Sequence, residues 1–501
     1  MAKSLSIDPV TRIEGHLAVR VEVEDGKVSE AFCSGEMFRG FEVIMRGRHP
    51  MDAQQITQRI CGVCPIEHGV ASAMAQDAAY GIRPPPNGTL LRNIVQGANF
   101  LASHLTHFYA LSAVDFVDVT AILSYTGKDP GMNELRDWVK AQLASKVYLP
   151  AAPFLPRYDT KYLDDKEANL GLLKNYLQAL DFRRLCHQMG ALFAGKMPHM
   201  ASIIPGGMSQ TIDAQNISAA EGLLATIKGF ILEKYVPDVV AVSSKFPEYW
   251  KMGHGPGNFL AYGVFPEEND RLFLPSGTLI AGTLSPLDTS KISEDVAFSW
   301  FAEQPSAHPF KGETVPQPDK PKAYSWVKAP RYEGQPMEVG ALARLLIAHA
   351  SKHEPAQSAV ASFLQKTGHT PADLISVMGR HASRAIEAGL LVDALGRWLQ
   401  ALRPENPCCV PFTIPKKGQG IGLTEAARGA LGHWLQIDNA VVSRYQCVVP
   451  TTWNCSPKDN SGTRGPVETA LVGTSIASEE NPIEAVRVIR SFDPCLACAV
   501  H

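Results

Sequence analysis

Four of the ten cysteines fall in two Cys-x-x-Cys pairs, Cys61/Cys64 near the start of the 501-residue chain and Cys495/Cys498 just before its end. This spacing brings two thiolates close enough to share one metal ion. A single pair reads equally as a thioredoxin-type redox couple, half a zinc site or half an iron–sulfur site. Two pairs together favour one four-thiolate site. Such soft ligands suit zinc, iron–sulfur, nickel or copper chemistry, not magnesium or calcium. The other six (Cys33, Cys186, Cys408, Cys409, Cys447 and Cys455) are scattered and read as small buried side chains. Met1 to Val10 carry no apolar run of the kind a secretory signal needs, so the paired thiols read as metal or redox sites before disulfides.

The elements that bring the two pairs together have to be long. At roughly 150 residues per domain, the length gives about three domains or one large multi-lobed unit. A hydrophobic content of 45% excludes a disordered chain. Lys+Arg 47 against Asp+Glu 50, a net charge of −3, argues against a nucleic-acid binder. No apolar run reaches the roughly 18 residues of a spanning helix. Leu17, Val19, Val21 and Val23 alternate with charged neighbours, and Asp25-Gly26 supplies a hairpin turn before a returning strand over Val28 to Cys33. Helical periodicity then predicts one helix from about Leu90 to Leu123, on the order of 50 Å long. Further helices are predicted from Lys166 to Lys196, from Ser218 to Tyr235 with a stop before Pro237, and from Thr370 to Leu402. Seven prolines between Pro305 and Pro336 predict extended, ordered loops there.

The expected fold is therefore mainly α with a small N-terminal β-region, a long-helix bundle core of α+β type. It forms a single multi-lobed subunit over 1–501. Within it, 1–50 is the β-region, 51–252 carries the first cysteine pair and long helices, 253–336 is Pro/Gly-rich loop, and 337–501 holds helices and the second pair.

The residues around the pairs discriminate further. The first reads Arg59-Ile60-Cys61-Gly62-Val63-Cys64-Pro65-Ile66-Glu67-His68, and the second Asp493-Pro494-Cys495-Leu496-Ala497-Cys498-Ala499-Val500-His501. Other stretches are Arg12-Ile13-Glu14-Gly15-His16, Arg39-Gly40-Phe41-Glu42, Lys328-Ala329-Pro330-Arg331-Tyr332, Ala427-Arg428-Gly429 with His433-Trp434, and Val449-Pro450-Thr451-Thr452-Trp453. With these motifs the chain resembles, essentially end to end, the large subunit of a nickel–iron hydrogenase.

The resemblance implies a catalytic subunit that cleaves molecular hydrogen reversibly and heterolytically into protons and electrons. Cys61 and Cys495 would be terminal nickel ligands. Cys64 and Cys498 would bridge nickel to an iron carrying carbon monoxide and two cyanides. Arg428 would hang its guanidinium over the open side of the centre, where a planar, always-charged donor stabilises negative charge. Thr451 would donate to a cyanide, and Leu431 would line the pocket around the carbon monoxide. Cys495, or in a competing assignment Arg428, would accept the first proton and Glu14 the next, since burial can raise a carboxyl toward neutrality. His68 would donate to the sulfur of Cys64. Asp493 and Ser103 would lie beside the guanidinium. Ser103 stands where many members have aspartate, and Ala427 where many have proline, changes expected to retune Arg428. Magnesium or another divalent ion would be held by Glu42, the carbonyl of Cys447 and His501, hard donors that suit such a cation. The ending at His501 resembles the mature form of a family made with a C-terminal extension. Some relatives carry selenocysteine where Cys495 stands.

Two electrons per hydrogen must leave the site, and the remaining cysteines show no iron–sulfur spacing apart from the adjacent Cys408-Cys409. The resemblance supplies a separate small subunit carrying iron–sulfur clusters. That partner can bring an export signal for both chains, which leaves the cytoplasm and the periplasmic side of a membrane equally open. Three other readings compete. A quinone-reducing subunit of related fold would lack the four cysteines, a hydrogen sensor would use the same centre to signal, and a structural zinc site would hold zinc and no nickel.

Overall fold

The computed structural model describes residues 3–146, 154–155, 158–268 and 271–501. At its start, strands Lys3–Ile7, Leu17–Glu24 and Lys27–Gly35 form an antiparallel sheet. Leu17, Val19, Val21 and Val23 are its buried face, as the alternation requires. Asp25 and Gly26 both take positive φ (50° and 71°), the turn geometry that matches strand twist. The edge strand Lys3–Ile7, in which half-buried Leu5 and Ile7 alternate with exposed Ser4 and Ser6, was not among the expected elements.

The helix carrying the first cysteine pair, Pro65–Tyr80, begins with Cys64 as N-cap and Pro65 in its first turn, and stops at Gly81 in the left-handed region. It lies directly on strand Lys417–Ala426. A Cβ at Gly422 would stand 1.9 Å from the carbonyl oxygen of Ala71, and one at Gly420 2.0 Å from that of Ala75. Two residues of strand advance about 6.6 Å and four of helix about 6 Å, so a glycine at every second strand position meets an alanine on every turn.

The long helix expected over 90–123 is shorter and irregular. It runs Pro86–Leu105, widens into a π-turn over Thr106–Ser112 and ends in short 3-10 turns. The break turns Asp115 toward Arg490, whose Nη1 donates to both of its carboxylate oxygens at 2.8 Å. Helix Lys166–Ala194 matches expectation and packs beside it. Pro237 does not stop its helix. Ala214–Phe230 passes through a π-turn, Ile231–Tyr235, into Val236–Lys245, where proline occupies the first turn and its missing N–H costs no bond. The element expected from Thr370 is two: a 3-10 turn, Pro371–Leu374, closed by the Thr370/Asp373 capping box, then helix Val377–Ala401 capped by Ser376.

The largest departure is at the C-terminal end, where helices alone were expected. Strands Lys417–Ala426, Gly429–Asp438 and Val441–Val448 form a three-stranded antiparallel sheet. The central strand Gly429–Asp438 is buried on both faces, so its alternation is absent, while the flanking strands start exposed and become buried toward their ends. The chain is thus a mixed α/β body, with the proline-rich middle folded as short strands and loops.

Candidate metal centre

Both cysteine loops precede helices at whose N-caps one cysteine sits: Cys64 before Pro65–Tyr80, and Cys495 before the single turn Leu496–Ala499. Packing puts them face to face. The sulfurs of Cys61 and Cys495 are 3.4 Å apart, those of Cys64 and Cys498 3.1 Å, and those of Cys495 and Cys498 2.9 Å. All four lie within 4.8 Å of one another and all are buried. Arg39 ties the loops together, its Nη2 donating to the carbonyl of Ile60 at 2.6 Å and to that of Ala497 at 2.5 Å. Burial pushes the thiols of Cys495 and Cys498 well above their usual range, so a cation between the sulfurs is what would draw the protons off.

The segment Arg12 to His16 docks on the second loop through backbone bonds. Glu14 N donates to the Pro494 carbonyl at 3.2 Å, and Leu496 N donates to the Glu14 carbonyl at 2.7 Å. Gly15, at φ 80°, permits this approach, because a Cβ there would stand 2.6 Å from Ala497 N. The Glu14 side chain consequently reaches the cluster: Oε2 lies 3.0 Å from Cys495 Sγ and accepts from Ala497 N at 3.0 Å. Burial raises its pKa, the charge of Cys61 adds to this, and its hydrogen bonds and Arg428 oppose it.

Arg428 is at the tip of the tight hairpin between Ala426 and Gly429, which pair directly. It is 4% exposed. Nη2 donates to Asp493 Oδ1 at 3.0 Å and Nη1 to Ser103 Oγ at 3.4 Å, while Nε has no partner. Burial works against its charge, but Asp493 and the cysteines outweigh it and hold the group cationic. Thr451 Oγ1 accepts from Cys495 N at 3.0 Å, leaving its own proton free to donate. With Leu431, Ala426, Pro450 and three of the cysteines, Arg428 and Thr451 bound a cavity of about 10 Å³.

One placement differs from expectation. His68 faces Cys498, not Cys64: its Nε2 lies 3.5 Å from Cys498 Sγ. The ring is one helical turn beyond Cys64 and is held from behind by His433, Nδ1 to Nε2 at 3.1 Å, which aims it across the cluster. His433 Nδ1 contacts the Tyr445 hydroxyl at 2.7 Å, and Tyr445 donates to Ser72 at 2.8 Å. Burial lowers the pKa of His68 to about 3 and keeps it neutral. His433 appears in the sequence beside Trp434, but nothing in the spacing shows that it backs His68.

A second cluster lies beyond the second loop. His501 Nδ1 donates to the Cys498 carbonyl at 2.6 Å, and its Nε2 stands 3.1 Å from Glu42 Oε1. A nitrogen lone pair therefore faces a carboxylate, an arrangement that needs a proton or a cation between them. Cys447 N donates to Glu42 Oε1 at 2.9 Å, which brings Glu42, Cys447 and His501 together, the contact to Cys447 being its N–H and not the carbonyl expected as a ligand. Sequence reasoning gave Lys328, Glu294 and Gln446 no role here. Lys328 Nζ donates to Glu42 Oε2 and to Gln446 Oε1, both at 2.9 Å, and lies 3.7 Å from Glu294. Lys328 lies in one of the quoted motifs, and only its burial marks it as more than a surface charge.

Four convergent thiolates, a carboxyl in contact with one of them and a buried guanidinium define a metal-dependent redox centre. The comparisons with known proteins agree. The model described as nickel-dependent hydrogenase matches residues 39–501, and one described as HoxL-like matches residues 4–34. The chain is 40% identical to the periplasmic [NiFeSe] hydrogenase large subunit of Desulfomicrobium baculatum, covering 99% of this chain and 94% of that one. It is 35% identical to the hydrogenase-2 large chain of Escherichia coli K12, covering 100% and 97%. The H2-activated Dm. baculatum [NiFeSe]-hydrogenase superposes with a TM-score of 0.89 at 39% identity over 100% of both chains. The reduced D. vulgaris Hildenborough Ni-Fe-Se hydrogenase also reaches 0.89, at 38% identity and 100% of both. The chain belongs to the nickel-dependent hydrogenase family as a large subunit, an oxidoreductase acting on H2. Among the described residues no helix is long and apolar enough to cross a membrane.

Proposed function

We propose that this subunit cleaves hydrogen heterolytically and reversibly at a nickel–iron centre held by Cys61, Cys64, Cys495 and Cys498, and delivers the electrons to an iron–sulfur small subunit. The contact between Glu14 Oε2 and Cys495 Sγ, 3.0 Å at the edge of the sulfur cluster, carries this reading, because it gives the reaction's proton a path. Nickel, with an iron bearing carbon monoxide and two cyanides, would supply the Lewis acidity and the redox change. Cys64 and Cys498 would be the bridging ligands and Cys61 and Cys495 the terminal ones. The sulfur of Cys495 takes the proton, and Glu14, its carboxyl raised by burial, accepts it next. Arg428 holds positive charge over the cavity, and Thr451 offers its free hydroxyl proton to a cyanide. Leu431 keeps the cavity wall apolar, and Asp493 and Ser103 orient the guanidinium. His68 polarises Cys498. Glu42, His501 and the Cys447 carbonyl would hold magnesium or a similar ion, hard donors suited to such a cation.

Beyond the four cysteines, no further group of cysteines able to hold an iron–sulfur cluster occurs among the described residues, which supports passage of the electrons to another chain. The test is infrared absorption of the purified complex together with metal analysis. Nickel and iron in equal amounts, with carbon monoxide and cyanide stretching bands, are expected. Zinc without nickel, or metal-loaded protein without those bands, overturns the assignment.

A further inference from the structure

A two-residue turn does not by itself fix the direction of a guanidinium, and the turn bearing Arg428 is gripped from behind. Arg344, on helix Ala341–Ala350, is fully buried. Its Nη1 donates to the Ala426 carbonyl and its Nη2 to the Ala427 carbonyl, each at 3.0 Å. These are the two carbonyls immediately before Arg428. The fork is itself clamped. Nε and Nη2 donate to the two oxygens of Glu387 at 2.6 and 2.7 Å, and Nη1 donates to Glu425 Oε2 at 2.8 Å. Glu387 Oε2 also faces His104 Nε2 at 2.7 Å, and Glu425 Oε1 accepts from Tyr262 N at 2.7 Å. Every side chain of this array except that of Tyr262 is wholly excluded from solvent.

The backbone of the same helix start completes the seat. A Cβ at Gly340, φ 132°, would stand 3.3 Å from the Arg428 carbonyl oxygen, and one at Gly429, φ 135°, 2.7 Å from Gly340 N. Among the described residues none of Arg344, Glu387, Glu425 or His104 hydrogen-bonds a cysteine sulfur, so the array meets the centre through the turn from Ala426 to Arg428. A buried ionic array of this kind is a weak source of stability, since well-packed apolar residues of similar volume often do as well. What it supplies is geometry, because a planar fork bound at all of its nitrogens cannot rotate.

We propose that Arg344, clamped by Glu387 and Glu425, is a positioning residue for Arg428, fixing the hairpin turn so that the Arg428 guanidinium meets Asp493 above the cysteine cluster. The proposal rests on the role given to Arg428 above. It makes Ala427 permissible at a position where the resemblance leads one to expect proline: a carbonyl held by Arg344 does the stiffening that a proline ring would otherwise do.

The test is a double-mutant cycle in the assembled enzyme, with Arg344→Lys, Arg428→Lys and the pair, read as hydrogen oxidation with an artificial acceptor, nickel and iron content, and cyanide infrared bands. Arg344→Lys keeps the charge and loses the fork. It is expected to lower turnover on the order of tenfold with metal content unchanged. It should also move the cyanide bands in the direction that Arg428→Lys moves them, and cost nothing further in the Arg428→Lys background. If the double variant loses the product of the two single effects, Arg344 does not act through Arg428 and the proposal is overturned. If Arg428→Lys alone leaves turnover and bands unchanged, the reading of Arg428 itself has failed, which is a separate outcome. Should Arg344→Lys assemble without metal, Glu387→Gln, which keeps the shape of the clamp and removes its charge, goes through the same cycle. Unmoved bands and turnover there overturn the proposal.

Discussion

The two ligand clusters share the last seven residues of the chain and are built on opposite principles. In each, an N-terminal segment meets the C-terminus: Cys61 and Cys64 meet Cys495 and Cys498, and Glu42 meets His501. The sulfur cluster has no compensating cation among its direct contacts, and burial holds the thiols of Cys495 and Cys498 protonated until one enters. The carboxylate cluster already contains one, because Lys328 bonds Glu42 at 2.9 Å. The first site is completed by its metal. The second is a preformed ion pair onto which a metal would be added. The difference teaches which cluster should fail when its ion is removed.

The largest effect is expected at the sulfur cluster. Cys498→Ser replaces a soft ligand by a hard one and removes the sulfur that three neighbours contact. Nickel and iron are expected to be lost together and hydrogen turnover to fall by several orders of magnitude. Full metal content by plasma emission analysis would end the claim that this sulfur is shared. Next in size is Glu14→Gln, which keeps the Ala497 hydrogen bond and abolishes proton carriage. Turnover and hydrogen–deuterium exchange should fall by about 10² or more, as removal of a general acid–base does, with metal content intact. If exchange between H2 and solvent deuterium proceeds at the normal rate, the proton leaves by another group.

The carboxylate cluster should behave differently. Glu42→Gln leaves Lys328 buried with Glu294 at 3.7 Å, Gln446 and the Thr314 hydroxyl as partners, and deprives His501 of the group it faces. Breaking a buried pair costs on the order of 3 kcal/mol. A fall of several degrees in melting temperature is therefore expected, with part of the nickel retained. Equal loss of nickel in Glu42→Gln and Cys498→Ser would erase the distinction between the clusters.

The difference in chemistry was legible in the sequence, because ligand type is written in residue type. Cys61, Cys64, Cys495 and Cys498 declare soft ligation by spacing, and the motifs around Glu14, Glu42 and Arg428 mark them through resemblance. Partners contributed by packing were not legible. Nothing in the spacing links Lys328 to Glu42 or His433 to His68, because each pair is joined by tertiary contact across more than 280 positions. The same holds for the C-terminal sheet. With both faces buried its central strand loses the period of two, and the trace of the sheet's packing is the run Gly418, Gly420 and Gly422 matched to Ala71, Ala75 and Ala79. The helix over 90–123 broke where Asp115 turns to Arg490, a long-range ion pair that periodicity does not see.

The smallest effect tests the lysine's share in the carboxylate cluster. Glu42 and Glu294 both face Lys328, and one ammonium does not keep two buried carboxylates charged. Burial raises Glu294 to about 7, with Lys328 opposing and Glu42 adding to the shift. The unfolded value is near 4.3, so the folded chain holds an extra proton at Glu294 across the interval. That stabilising contribution is complete below the unfolded pKa and is lost as pH rises through about 7. Glu294→Gln keeps a neutral side chain at every pH. Its melting temperature should gain on that of the wild type by about a degree or two between pH 5 and pH 8. A divalent ion bound beside Glu42 favours the charged carboxyl, so added magnesium should shrink the difference and a chelator restore it. Identical pH dependence of the two melting curves, with or without magnesium, would mean that Lys328 serves both carboxylates and that the second cluster is complete without a metal.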